Sequence, residues 1–295
     1  MYYILALFTG ILISVMVAFN GSLTATYGLY LATVIIHAVG LVVIISMLIY
    51  KRESPFAKSE NRPPRHLYLG GAIGVATVYL TNFAFGSISV SALLALGLFG
   101  QSLTGIAVDQ FGLFGMKKYP FKKRKLVGLT IMLAGIGVMV MNFGDAAFFA
   151  ALAALGTGAT IVLSRVFNAR LATFIGTRRG VFYTHVVGLV LTSFVLVVLV
   201  ALGWQDLVAT TGFAFPGGWY MYLGGLLGVV VISLDNFTAV RLPAFYLALL
   251  LFVGQVSSGL AVDFVIERAV NGHNIAGGLL VALGLCVNVL LDKSR

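Results

Sequence analysis

The chain is short of charge. Asp, Glu, Lys and Arg make up 9% of its 295 residues, where an ordinary soluble domain carries about 25%, and a water-soluble globule is excluded. It is also short of cysteine. The single copy, Cys286, lies inside the last apolar run, so there is no disulfide framework and no thiol pair for a metal. The motifs of common enzyme sites are missing too. No HExxH, GxSxG or Walker sequence occurs, and no segment outside the apolar runs is large enough to hold a nucleotide. No enzyme activity, cofactor or metal site is expected. The first residues, Met1-Tyr2-Tyr3-Ile4, lack a basic stretch, so the N-terminus reads as a retained first span and not a cleaved signal.

What the chain has in quantity is apolar sequence. Hydrophobic residues make up 60% of it and its mean hydropathy is +1.05. Runs of about 20 apolar residues recur, each able to cross roughly 30 Å of hydrocarbon. The expected fold is all-α, with ten spans at about 3–22, 29–50, 67–86, 89–109, 125–143, 146–168, 181–203, 219–240, 243–263 and 276–291. The net charge of +10 would suit nucleic acid, but the basic residues sit in short loops, where they orient a chain in a bilayer. No nucleic-acid partner is expected. With ten spans and a cytoplasmic N-terminus, 17 of the 19 Lys and Arg residues fall on or beside one face. Arg268 lies opposite, and Arg165 within a span. This asymmetry places both termini in the cytoplasm, and a bacterial-type inner membrane is the expected location.

One stretch is written twice. Gly100-Gln101-Ser102-Leu103-Thr104-Gly105-Ile106-Ala107-Val108-Asp109 returns 154 residues later as Gly254-Gln255-Val256-Ser257-Ser258-Gly259-Leu260-Ala261-Val262-Asp263. From 68 to 109 the copies pair without a gap, and 17 of 42 positions are identical, including Asn82 with Asn236. Apolar helices share Leu and Val by composition alone, but not Asn, Gln and Asp at fixed spacing, so the chain is an internal duplication. At a shift of 148, Asn20 falls on Asn168 and His37 on His185; at 149, Gly128 and Gly135 fall on Gly277 and Gly284. Each repeat therefore holds five spans, 1–144 and 146–295. Five is odd, so the second repeat enters the membrane inverted relative to the first, an architecture common in secondary transporters.

The Gly-Gln…Gly…Asp segment is followed by Phe111-Gly112-Leu113-Phe114-Gly115-Met116-Lys117-Lys118. A five-span unit of this kind resembles the YdcZ-like family of the drug/metabolite transporter superfamily, here as two fused units. The resemblance is strong over 67–143 and weaker in the second half, where Phe264-Val265-Ile266-Glu267-Arg268 replaces the Phe-Gly-Leu-Phe-Gly loop. It implies a ten-helix, two-repeat fold and brings no established substrate. Small members of the superfamily carry a carboxylate in the first helix for proton-coupled export. Ser14 and Val162 occupy that region here, so that mechanism does not carry over.

Several polar residues fall inside the spans. Gln101 and Gln255 lie near the middle of spans 4 and 9; a lone amide in hydrocarbon costs several kcal/mol, so each faces either a midplane substrate site or a neighbouring helix as glue. Asn20, Asn168, Asn82 and Asn236 lie nearer span ends, where they bind substrate or satisfy irregular backbone. Asp109 and Asp263 close spans 4 and 9, either capping a turn or serving as a gate or proton relay. Arg165 and Asp235 stand where the first repeat has Val17 and Thr81. They pair with one another, or Arg165 meets an anionic substrate. Gly100, Gly105, Gly254 and Gly259 read as helix-packing positions. His37 and His185 read as residues of opposite leaflets, each bonded to a neighbouring helix. The expected function is secondary active transport of a small metabolite or organic solute by alternating access around Gln101 and Gln255. A channel, which needs a continuous polar lining, and a non-transporting scaffold or partner subunit are the alternatives. The expected partners are the bilayer and a small-molecule substrate, and the fused pair is expected to act as a monomer.

Overall fold

The computed structural model describes residues 2–57, 62–115, 123–141, 144–204, 218–239, 241, 244–267 and 272–293; the side chains of Asp109 and Asn236 lie outside the described residues. Those residues form ten α-helices and no strand: α1 (Tyr2–Tyr27), α2 (Leu29–Tyr50), α3 (Leu69–Phe85), α4 (Val90–Phe111), α5 (Lys125–Val140), α6 (Asp145–Ile175), α7 (Thr177–Ala201), α8 (Leu223–Ala239), α9 (Ala244–Glu267) and α10 (Gly272–Lys293). Helices are the economical answer to hydrocarbon, because each satisfies its backbone N–H and C=O groups internally. Hydroxyls follow the same rule. Thr9, Thr33, Ser102 and Thr192 each donate to the carbonyl four residues back in their own helix.

Six stretches among the described residues are long and apolar enough to cross a membrane: Tyr2–Tyr27, Leu29–Tyr50, Arg65–Phe85, Val90–Val108, Asp145–Ile175 and Thr177–Ala201. The other four helices hold shorter apolar stretches, at Leu126–Val140, Trp219–Asp235, Leu250–Val265 and Ile275–Val287. The outer surface is apolar. Ile4, Ile49, Val190, Phe194, Val265 and Leu279 are all exposed, as a lipid-facing surface requires.

The largest overruns of the expected ends are α1, which runs to Tyr27, and α6, which runs to Ile175. The arginines of 169–180 read as a turn, yet Arg is a good helix former, and Arg170 is helical while Arg178 and Arg179 already belong to α7. The helix is broken by Gly176 alone, at φ 85 and ψ 154. Gly28, which breaks α1 from α2, has φ 75 and ψ 163. That region is open essentially to glycine only, and the two hinges stand 148 residues apart.

The packing is reciprocal. α5 lies against α10, α2 against α7, α3 against α6 and α1 against α8, α4 against α6 and α1 against α9. Exchanging α1–α5 for α6–α10 maps this set onto itself. Glycines set the closest crossings. A Cβ on Gly10 would stand 3.0 Å from the Gly254 Cα, and one on Gly100 would stand 3.3 Å from the Gly158 Cα, so α1/α9 and α4/α6 meet through the same pair of repeat positions. In α5/α10 a Cβ on Gly135 would stand 2.6 Å from the Gly277 oxygen. Lipid tails offer no hydrophobic drive between helices, so such backbone approach supplies the dispersion that holds them. Gly105 departs from the packing expectation: no described atom lies within 4 Å of a Cβ there. It stands about 140° around the helix from Gly100, off the face that meets α6. Gly259 does pack, with a Cβ 3.1 Å from Leu94 Cδ1.

Candidate functional site

The reciprocal packing leaves a cavity of about 230 Å³ between the two halves, walled by residues of α1, α2, α3, α4, α6, α7, α8 and α9. None of its wall residues comes from α5 or α10. Gln101 and Gln255 both line it, as do Asn20, Asn82, Asn168, Arg165 and Asp235. Residues from six helices, spread over more than two hundred positions of sequence, thus share one space. Most of the remaining wall is apolar, with Ile13, Val17, Leu93, Leu94 and Ile161 among it.

The two repeat-related asparagines are treated differently. Each sits as a knob over a glycine of the facing helix, Asn168 over Gly70 and Asn20 over Gly224, where a Cβ would collide with the amide oxygen. Asn168 is engaged at both polar atoms: its Nδ2 donates to Ser164 Oγ at 3.1 Å and its Oδ1 accepts from Thr184 Oγ1 at 3.1 Å. Ser164 in turn donates to the Gly70 carbonyl at 2.8 Å. The first-half counterparts of Ser164 and Thr184 are Met16 and Ile36, and Asn20 Oδ1 is buried without a partner among the described residues. Asn82 Nδ2 is in the same condition.

Arg165 and Asp235 form an ion pair, with Nε donating to Oδ2 at 2.7 Å. The second carboxylate oxygen, Oδ1, is buried and unpartnered among the described residues. A charge inside a span costs at least about 2.5–3.5 kcal/mol, and the pair lowers that cost by keeping the two opposite charges in contact.

The histidines correct the sequence reading. His37 and His185 do not occupy separate leaflets: their rings meet edge to face with centroids 5.9 Å apart. Both line the cavity. His37 Nδ1 reaches the Thr33 carbonyl of its own helix at 2.9 Å, and not a neighbouring helix. Each ring lies over the glycine three residues beyond the other histidine, His185 over Gly40 and His37 over Gly188. The sequence held the signal. Residues related by the repeat and lying on the α2/α7 crossing must meet, because that crossing pairs a helix with its own counterpart. For Ser164 and Thr184 there was no signal, since the first half lacks them.

Asp263 stands apart from the cavity. Only 2% exposed, it accepts from the backbone N–H groups of Val90 and Ser91, two of the orphan donors at the start of α4. Ser89 Oγ takes a third, from Ala92. The turn that Asp263 caps belongs to the other repeat.

Comparison with known proteins places this geometry. A family model described as "Putative inner membrane exporter, YdcZ" matches twice, over residues 1–138 and 149–287. No curated protein matches the chain. A crystal structure described only as that of a protein is 18% identical and superposes with a TM-score of 0.64, covering 98% of this chain and 96% of that one. At that identity the likeness is one of fold, and it runs end to end.

Proposed function

Because the chain belongs to the YdcZ family and carries its unit twice, we propose that it exports a small organic solute by alternating access through the central cavity. The observation that carries this reading is the composition of the wall. Gln101 and Gln255, Asn20 and Asn168, and His37 and His185 line one space as repeat-related pairs. Two five-helix units of opposite orientation can exchange conformations, and the exchange turns a site between them from one face to the other. The distribution of Lys and Arg favours that inverted arrangement, with repeats at 1–144 and 146–295 and both termini cytoplasmic. On this reading Gln101, Gln255, Asn82 and Asn20 are the substrate-facing amides, while Asn168 is held by Ser164 and Thr184. A volume of about 230 Å³ falls below the roughly 300 Å³ at which drug-sized pockets begin, so the cargo is a small metabolite.

The test is flux from proteoliposomes holding the purified chain, with wild type compared against Gln101→Ala/Gln255→Ala. Transport of at least one solute by the wild type, lost in the double variant, is expected. A protein that stays folded and moves none of a broad metabolite panel would instead be a scaffold.

A further inference from the structure

We infer that the Arg165–Asp235 pair is the head-group site of this cavity and that the solute is zwitterionic, one molecule bearing an ammonium and a carboxylate on a compact apolar body. The inference rests on the transport reading of the same cavity. Each member of the pair has an unused side. Asp235 Oδ1 is buried and without a partner among the described residues, an acceptor in want of a donor. Arg165 spends its Nε on Asp235, and its side chain keeps 29% exposure. The Nη edge of its planar fork, the edge that matches a carboxylate bidentately, is thereby left for a ligand.

Electroneutrality selects among ligands. Arg165 and Asp235 together sum to zero. A monoanion on Arg165, or a monocation on Asp235, leaves one uncompensated charge among Ile13, Val17 and Leu93, and a lone charge in such surroundings is costly. A zwitterion offers its carboxylate to the guanidinium and its ammonium to Oδ1, and adds no net charge.

The broken repeat symmetry says where the body lies. At the positions of Arg165 and Asp235 the first half has Val17 and Thr81, and at those of Ser164 and Thr184 it has Met16 and Ile36. The cavity therefore has a charged end and, related to it by the repeat, an uncharged end, where Val17, Met16 and Ile36 stand beside Thr81 and Asn20. Asn168, beside the charged end, is already satisfied by Ser164 and Thr184, which leaves recognition of the head to the ion pair.

The experiment uses alanine, leucine and phenylalanine, each beside the acid that lacks its amine and the amine that lacks its carboxylate. Thermal stabilisation and proteoliposome flux of the full chain are read. At least one zwitterion is expected to stabilise the protein and to be moved, with both singly charged analogues weaker by about tenfold or more. Arg165→Gln and Asp235→Asn lose that preference. Arg165→Val/Asp235→Thr, which installs the first-half residues and strands no charge, keeps the unliganded melting temperature while zwitterion binding disappears. An analogue of one charge, or an uncharged solute from the metabolite panel, binding as tightly as the zwitterion overturns the inference and leaves transport standing. So does zwitterion binding by the double variant at wild-type strength. If no solute of any charge class is bound or moved, the transport reading itself falls.

Discussion

Asp263, near the end of α9, holds the first turn of α4 through the Val90 and Ser91 N–H groups, 2.7 and 3.0 Å from its two oxygens. The contact ties the second half to the first at a point where two helix-end donors are buried. Asp263→Ala strands both. Losing the cap costs about 0.5–2 kcal/mol, and buried unpaired donors add about 1–3 kcal/mol. Asp263→Asn, which keeps one acceptor oxygen, is expected to cost about half as much. Melting temperatures in detergent should fall in the order wild type, Asn, Ala; equal values would mean that the α4 turn needs no such cap.

The histidine–glycine seats should behave as coupled pairs. A Cβ on Gly40 collides with the His185 ring, and one on Gly188 with the His37 ring. Overpacking of this kind costs typically about 1–3 kcal/mol, so Gly40→Ala and Gly188→Ala are expected to destabilise by similar amounts. Adding His185→Ala to Gly40→Ala makes room for the new methyl. The double variant should lie well above the sum of the singles in a double-mutant cycle, whereas strict additivity would dissolve the proposed seat.

Glycine substitutions elsewhere should divide by backbone conformation. Gly28 and Gly176 occupy φ 75 and φ 85 with extended ψ, so Ala at either is expected to cost about 1–3 kcal/mol. Gly137 lies within α5 with no described atom within 4 Å of a Cβ. Ala there should stabilise by about 0.5–1 kcal/mol. Urea or thermal unfolding of the three variants separates the cases, and a gain at Gly28 or Gly176 would contradict the hinge geometry.

One surface pair carries a pH signature. Glu53, just after α2, accepts from both Nε (2.9 Å) and Nη2 of Arg178. That hydrogen bond, with the positive charges of Arg178, Arg179 and Lys51, holds its carboxyl below the ordinary value of 4.5. A carboxyl shifted downward stabilises the fold above its unfolded pKa, and the benefit fades as pH falls through the folded one. The pair is partly exposed, so the effect is small and salt-sensitive. The difference in melting temperature between wild type and Glu53→Gln should be present at pH 7, begin to shrink at about pH 4.5 and disappear as the pH falls through the lower pKa of the folded state. A difference that grew on acidification would reverse the sign argued here.

Much of the fold was legible before any coordinates. Low charge and recurrent apolar runs dictate helices in a membrane, because unpaired backbone groups are intolerable there. The shifts of 148 and 154 residues expose the duplication, since polar residues at matched spacing do not arise from hydrophobic composition. The same shifts single out Gln101, Gln255, Asn20, Asn82 and Asn168, all of which reach the cavity wall. Helix ends were less legible. Arginines at 170, 178 and 179 look like a loop, yet a single glycine makes the break.

What the sequence determined by itself was therefore the class of environment, the helical alphabet and the repeat, because each depends on local composition or on self-similarity along the chain. Tertiary structure decided the rest. It set His37 against His185, sent Asp263 to the start of α4, satisfied Asn168 while leaving the Asn20 carbonyl unmet, and turned Gly105 off the α6 face. Those outcomes depend on which helix crosses which and at what rotation, and in lipid such choices are made by close packing between helices that are not neighbours along the chain.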